Sequence, residues 1–280
     1  MNPSTISATE REKRMQEKIK NDELIENCDD MSDEYYELLT NLMMQQADSE
    51  LAGAFGYVPW IMKAPTTEEM LVVSNITRDE VRHARAMFRL LEDLQIPVEE
   101  HVKEQDFSFR LDNPEADIGA QRAAKDSRVN IFYYPINSWA DFCMFNFCMD
   151  RGAGHQLEDV KESTYGPWQR EIARIFREEM THVGHGDFWV KKLALESPET
   201  KKEIQKALDL WYPRTMNIFG KPHTKKNDLY RKYGIKRRTN EEVREAFAAE
   251  IKKNCDEWGL TVTEWVPDWA TIPEDAVIVG

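Results

Sequence analysis

Residues 78–83 read Arg78-Asp79-Glu80-Val81-Arg82-His83, and residues 177–182 read Arg177-Glu178-Glu179-Met180-Thr181-His182. Each hexapeptide holds Glu-x-x-His. A three-residue step turns an α-helix by about 300°, so carboxylate and imidazole share one face. A hard oxygen and a nitrogen on one face suit a transition metal. A single copy would pass as a solvated helix face, because Asp and Glu together number 51 in 280 residues. Two copies, each mid-way along a helical segment with apolar neighbours, point instead to a bundle with ligands inside.

The flanking sequence supplies the helices. After Ser32, with Asp33 and Glu34 in a first turn, Tyr35, Leu38, Leu39, Leu42, Met43, Gln46 and Glu50 follow at spacings of three and four. This block runs to about Phe55, where Gly53, Gly56 and Pro59 are expected to end it. A second block opens after Pro65 with Thr66 or Thr67 as cap and runs to about Leu94. Residues 97–127 are polar and irregular, a long connection with room for one short helix. A third block follows Pro135, passes Asp141 and reaches about Lys161, with Gly152 and Gly154 marking a kink. A fourth runs from Trp168 to about Leu195, a fifth from Pro198 to Leu210, and a last one from Asn240 to Trp258. No strand-turn-strand or βαβ pattern is visible. The expectation is an all-α four-helix bundle with a long crossover and additional C-terminal helices. Residues 1–30 form a flexible or partner-bound arm, 31–262 the domain, and 263–280 an extended tail.

A dimetal bundle needs one further carboxylate on each of two other helices. Glu50 stands among Leu51, Ala52, Ala54 and Phe55, and Asp141 stands in the least polar stretch of the chain, where a bare carboxylate is costly unless paired or metal-bound, a helix cap or a buried hydrogen bond being the alternative. The intervals Glu50 to Glu80 and Asp141 to Glu179 each let a helix end, turn and return to the same depth. The gap from 83 to 141 covers the crossover of a ferritin-like topology. The expected metal ligands, which are also the catalytic residues, are Glu50, Glu80, His83, Asp141, Glu179 and His182. Four carboxylates neutralise two divalent ions, and oxygen-rich ligation with two nitrogens suits iron or manganese better than zinc. Asp79 and Glu178 stand four residues before His83 and His182 and could replace the glutamates one position on. Glu80 and Glu179 are preferred for reach, which leaves Asp79 and Glu178 to accept from the histidine of the opposite helix, with Arg82 holding Asp79. His185 could be a third imidazole but is expected along the pocket or facing a partner. His101, His155 and His223 read as surface residues, and the aromatic cluster Phe132 to Phe147 as core.

Composition sets outer limits. Lys and Arg total 37, giving a net charge of −14. That balance disfavours non-specific nucleic-acid binding and docking on anionic lipid. Cys28, Cys143, Cys148 and Cys255 form no Cys-x-x-Cys pair and read as reduced thiols of a cytoplasmic protein. The first twenty residues lack the apolar core of a signal peptide, and the run from Ile131 to Met149 is interrupted by Pro135, Asn137, Asp141 and Asn146.

The chain resembles the catalytic subunits of bacterial multicomponent phenylacetyl-CoA epoxidases. The resemblance rests on Ser49-Glu50-Leu-Ala-Gly, Trp60-Ile-Met-Lys-Ala-Pro65, Asp79-Glu80-Val-Arg-His83, Ser138-Trp-Ala-Asp141, Ser163-Thr-Tyr-Gly-Pro167 and Glu178-Glu-Met-Thr-His182. It continues through Trp211-Tyr-Pro, Met216-Asn-Ile-Phe-Gly220 and Ile235-Lys-Arg-Arg-Thr-Asn240, and so spans roughly residues 30–262. It implies two iron ions on the six ligands above, O2 as co-substrate, and epoxidation of the ring of an aryl-CoA thioester. It also implies a homologous non-catalytic ferritin-like subunit, a small bridging subunit, and an iron–sulfur flavin reductase that passes electrons from NAD(P)H. The chain has neither Cys₄ cluster spacing nor a dinucleotide fingerprint, so it cannot carry those electrons itself. An anionic CoA needs a local basic patch, for which Lys63, Arg85, Arg110, Arg122, Lys125 and Arg128 are candidates. The rival readings are a related oxygenase for another CoA thioester or aromatic acid, a peroxide- or iron-handling ferritin-like protein, and a non-catalytic subunit.

Overall fold

Side-chain caps open the first two long helices. Ser32 accepts from the Tyr35 amide at the head of α2 (Asp33–Ile61), and Thr66 accepts from the Glu69 amide at the head of α3 (Thr67–Asp93). Each such cap stabilises its helix by about 1 kcal/mol. The computed structural model describes residues 6–113, 118, 119, 121–123, 126–270, 272 and 277–279. Helix α2 continues through Gly53, Gly56 and Pro59, because Pro59 falls in the final turn, where one lost amide hydrogen bond is tolerated. Gly53 makes room rather than ending the helix: a Cβ there would lie 3.3 Å from Glu80 Oε2 and from the Phe132 ring.

Residues 94–138 cross over, with the short α4 (Val98–Glu104) inside them. The third helical stretch comes in three parts: α5 (Trp139–Phe145), a π turn over Asn146–Asp150, and α6 (Arg151–Val160). The irregularity expected at Gly152 and Gly154 is this π turn, just before them. Then follow α7 (Gly166–Glu196), α8 (Pro198–Met216) and α10 (Asn240–Trp258), with the unanticipated α9 (Lys225–Lys232) between the last two. A short parallel pairing, also unanticipated, joins β1 (Gln121–Ala123) in the crossover to β2 (Val277–Val279) in the tail. The N-terminal arm is folded among its described residues. Ser7 caps α1 (Ala8–Lys20), Met15 is fully buried, Arg11 pairs with Asp33, and Ile25 bridges to Tyr165.

The architecture is a ferritin-like bundle of α2, α3, α5–α6 and α7, with α8 and α10 packed on its flank. No helix among the described residues is long and apolar enough to cross a membrane. The interior divides into two apolar cores. One gathers Leu39, Met43, Met87, Leu91, Trp168 and Ile172; the other gathers Trp60, Phe142, Phe145, Trp189, Trp211 and Phe247. Every bundle helix passes from one core to the other. The changeover falls between Ala47 and Ala52 on α2, and between Ile76 and Ala84 on α3. On the third helix it falls between Met149 and Leu157, and on α7 between Ile175 and Trp189. A polar layer therefore lies between two greasy ones, at one level of the bundle.

Helix α7 meets the π turn backbone to backbone. A Cβ on Gly186 would stand 2.5 Å from Phe147 N, whereas one on Gly184 meets nothing within 4 Å. Gly186→Ala is therefore expected to destabilise the fold by about 2 kcal/mol or more. Gly184→Ala is expected to be neutral or to stabilise by up to about 1 kcal/mol. Urea unfolding followed by circular dichroism measures both.

Candidate metal centre

The polar layer holds Glu50 from α2, Glu80 and His83 from α3, Glu179 and His182 from α7, and Asp150 from the end of the π turn. Glu80, His83, Asp150, Glu179 and His182 are each no more than 6 % exposed. Donor atoms of Glu50, Glu80, His83 and Glu179 lie within 4.8 Å of one another. His83 Nδ1 stands 2.9 Å from Glu179 Oε1 and 3.6 Å from Glu50 Oε2. His182 Nδ1 stands 3.1 Å from Glu80 Oε1 and 3.5 Å from Glu179 Oε2. Glu179 thus reaches both imidazoles, with Glu50 on the His83 side and Glu80 beside His182.

These atoms are crowded yet not hydrogen-bonded. His83 Nδ1, Glu179 Oε1 and both ring nitrogens of His182 are buried without a hydrogen-bond partner. Buried polar atoms are normally satisfied, so four orphans in one cluster require an explanation. Two donors bound at about 2.1 Å to one ion, at right angles, lie about 3 Å apart. The spacing and the orphaned lone pairs fit cations held between the helices, and a set of four carboxylates and two imidazoles matches two divalent ions in charge.

Burial makes the cluster hold protons when no cation neutralises it. Burial, reinforced by the Glu179 charge, pushes the Asp150 carboxyl up to about 8 and the Glu80 carboxyl well above the usual carboxylate range. Burial works the same way on Glu179, but His182 and His83 hold that carboxyl down to about 2. Burial opposes charge on the imidazoles, yet Glu179 and Glu50 raise His83 to about 11, and Glu179 and Glu80 raise His182 to about 12.

Outer contacts orient the donors. His83 Nε2 lies 2.7 Å from Glu178 Oε2 on the opposite helix, which leaves Nδ1 facing inward. Arg82 donates to Asp79 at 2.7 Å and to Glu178 at 2.9 Å. Asp79 stands 3.9 Å from His182 Nε2, too far for a hydrogen bond. On α2, Trp168 Nε1 donates to Gln46, and Gln46 donates to Glu50 at 3.3 Å.

Asp141 is not in the layer, which corrects the expectation. It occupies the first turn of α5, where its amide donates to Ser138 Oγ, its Oδ2 accepts from that hydroxyl, and its Oδ1 accepts from Trp211 Nε1 at 3.2 Å. Helix-end hydrogen bonds satisfy the carboxylate there, so its apolar surroundings demand no metal. Asp150 stands in its place, accepting from Tyr57 Oη at 3.0 Å and from Asn146 Nδ2 at 3.1 Å. A sequence signal for it exists: Asp150 to Glu179 is 179 − 150 = 29 residues, against 80 − 50 = 30 for the first hairpin. His101 and His155 are not simple surface residues either. His101 Nε2 lies 2.9 Å from both oxygens of the fully buried Asp48, and His155 Nε2 lies 2.9 Å from Glu250. His223 is exposed.

A cavity of about 560 Å³ opens from the layer. Glu50, Glu80, Asp150 and Glu179 line it together with apolar walls that include Phe132, Met149 and Ile218, and with the cations Arg122, Lys221, Lys226 and Lys236. Lys226 is exposed where the carboxylates are buried, so the basic side is the outer one. Of the six basic candidates from sequence, only Arg122 lines the cavity; its Nε is buried without a hydrogen-bond partner among the described residues. Arg110 and Arg128 are spent on backbone carbonyls of Phe107 and Phe109, Arg85 on Glu92, and Lys63 covers the Trp60 ring. Lys125 lies outside the described residues.

Comparison with known proteins finds relatives of the chain. A family model described as "Phenylacetic acid catabolic protein" matches residues 14–270. One of the subunits of 1,2-phenylacetyl-CoA epoxidase from Escherichia coli (strain K12) is 28% identical over 257 residues, covering 91% of this chain and 78% of that protein. Component B of benzoyl-CoA oxygenase from Aromatoleum evansii is 24% identical over 233 residues, covering 75% of this chain but only 46% of that protein.

Two variants separate the aspartates. Asp150→Asn is expected to weaken uptake of one of two divalent ions by more than about tenfold. Asp141→Asn should leave uptake unchanged and cost about 1 kcal/mol of stability. Since the ions must displace protons held on Glu80, Asp150, His83 and His182, affinity should rise with pH through about 8, where Asp150 titrates, and fall in acid. Calorimetric titration with Co²⁺ in buffers of different ionisation enthalpy reads the affinity and the protons released.

Proposed function

The chain belongs to the family of phenylacetic acid catabolic proteins, and from that premise we propose that it is the catalytic subunit of a cytoplasmic, multicomponent di-iron monooxygenase. It epoxidises the aromatic ring of an aryl-CoA thioester, with phenylacetyl-CoA as the first substrate to test and benzoyl-CoA as the alternative that the second relative raises. The observation that carries this reading is the buried Glu/His layer with orphaned donor atoms at the end of a cavity walled by apolar groups and rimmed by lysines. Its partners are proposed to be a homologous subunit without metal, a small bridging subunit, and an iron–sulfur flavin reductase fed by NAD(P)H.

Glu50, Glu80, His83, Asp150, Glu179 and His182 would hold the two irons. An iron pair there would supply the site of O2 reduction, with two electrons from NAD(P)H by way of the reductase, one oxygen atom of O2 going to the ring and the other leaving as water. The chain's own residues arrange the rest. Four carboxylates cancel the charge of two divalent ions, so the loaded layer can lie between two apolar cores. Phe132, Met149 and Ile218 exclude water from the side on which a ring would lie. Lys221, Lys226 and Arg122 line the outer wall, where the phosphates of a CoA moiety would meet them. Lys236, buried and donating to Gln156 at 2.8 Å, adds a cation deeper in.

Reconstitution with Fe²⁺, the partner subunits and the reductase should couple NADH oxidation and O2 uptake to a ring-oxygenated CoA ester detected by mass spectrometry. Glu80→Ala and His182→Ala should abolish turnover while leaving helical content and complex formation intact. Lys221→Glu with Lys226→Glu should raise KM for the CoA ester about tenfold, a loss of about 1.4 kcal/mol, with kcat little changed. Rapid peroxide breakdown with no oxygenated product from any aryl-CoA would replace this reading with a peroxide-handling protein.

A further inference from the structure

His185 is the buried imidazole that the proposed ligand set leaves over. It lies three residues beyond His182 on α7, with its side chain 7% exposed, and both of its nitrogens are engaged. Nε2 stands 2.5 Å from Glu69 Oε1 on α3, and Nδ1 stands 3.1 Å from Asn146 Oδ1 on the π turn. Carboxylate and amide oxygens only accept. Both ring nitrogens are thus occupied by protein neighbours, which removes His185 as a third imidazole ligand.

The consequence falls on Asn146. With its oxygen turned toward His185, its NH2 group faces the other way and donates to Tyr57 Oη and to Asp150 Oδ2, each at 3.1 Å. Tyr57 Oη closes the ring of contacts by donating to Asp150 Oδ1 at 3.0 Å. A flipped amide would aim its oxygen at the Asp150 carboxylate and lose the bond it donates there. The π turn sets Asn146 and Asp150 side by side, and Gly186 lets α7 come close enough for the neighbouring His185 to reach them. Glu69, itself buried and fixed in the first turn of α3, anchors the far nitrogen.

We infer that His185, clamped by Glu69, is a positioning residue for Asp150: it fixes the Asn146 amide so that the Asp150 carboxylate is held at two points and turns its remaining lone pairs to the metal layer. The inference rests on the dimetal reading, in which Asp150 is a ligand. It predicts a selective defect, confined to the ion that Asp150 would hold.

The test is Co²⁺ titration of the full chain followed by visible absorption. Wild type should take up two ions. His185→Ala should keep one at wild-type affinity and weaken the other at least about tenfold, with the melting temperature of the metal-free chain within a few degrees. Added imidazole should refill the vacated site and restore the second ion, a rescue that a merely structural defect would not show. Glu69→Gln should weaken the same ion by a smaller factor, and it carries the test if His185→Ala does not fold. Wild-type affinity for both ions in a folded His185→Ala chain, or in Glu69→Gln where that variant carries the test, overturns the positioning role alone. A wild-type chain that takes up no cobalt overturns the dimetal reading and the positioning role with it.

Discussion

Six ionisable side chains at one level between two apolar cores form the constraint on which the structure depends. An ionised carboxylate left unpaired in such a place costs several kcal/mol, and four of them together would not survive without compensation. The two imidazoles compensate only in part, which is why Glu80 and Asp150 hold their protons in the metal-free chain. Two divalent ions would remove the conflict by replacing those protons. The layer is thus built around charge that the polypeptide alone does not contain.

The bundle geometry follows from that need. Inward donors on four helices meet only if the helices approach closely at the right level, and two glycines mark where they do. Gly53 leaves space for Glu80 and Phe132, and Gly186 lets α7 touch the π turn. The outward side is organised by charge, with Arg82 joining Asp79 to Glu178 across the helix pair. The two halves are unequal. His83 has a carboxylate within hydrogen-bond reach of its outer nitrogen, while His182 has Asp79 at 3.9 Å and an unpartnered Nε2. The His182 half is instead supported from the Asp150 side, through Tyr57, Asn146 and His185.

What was legible in the sequence was local. Glu-x-x-His and its neighbouring acids can be read because helical spacing alone sets their mutual geometry, and the caps Ser32 and Thr66 stand next to the helices they open. Asp141 misleads because its apolar neighbours point to a metal, whereas the helix-end hydrogen bonds with Ser138, the alternative its position also allows, satisfy it. Hairpin length, nearly equal for Glu50–Glu80 and Asp150–Glu179, carried the better signal. Pairings over long separations stayed hidden: His101 with Asp48, His155 with Glu250, β1 with β2. The cavity lysines were hidden for the same reason. Lys221, Lys226 and Lys236 belong to the segment after the bundle, and only the packing of α8 and α9 brings them to a cavity whose floor is in α2, α3 and α7.

That arrangement also bears on which chemistry the scaffold serves, since a ferritin-like frame alone does not decide it. A centre that stores iron or destroys peroxide needs passage only for species the size of water. The cavity here, at about 560 Å³, lies in the range that holds an organic ligand. Its lining joins carboxylates, aromatic and aliphatic groups, and four cations, of which Lys226 is exposed and Lys236 buried, on a chain of net charge −14. Local concentration of positive charge against such a background selects for an anionic handle, and the apolar wall selects for a ring beyond it. A molecule with both, joined at a distance that lets the ring reach the layer while the anion stays at the rim, is the ligand these residues describe.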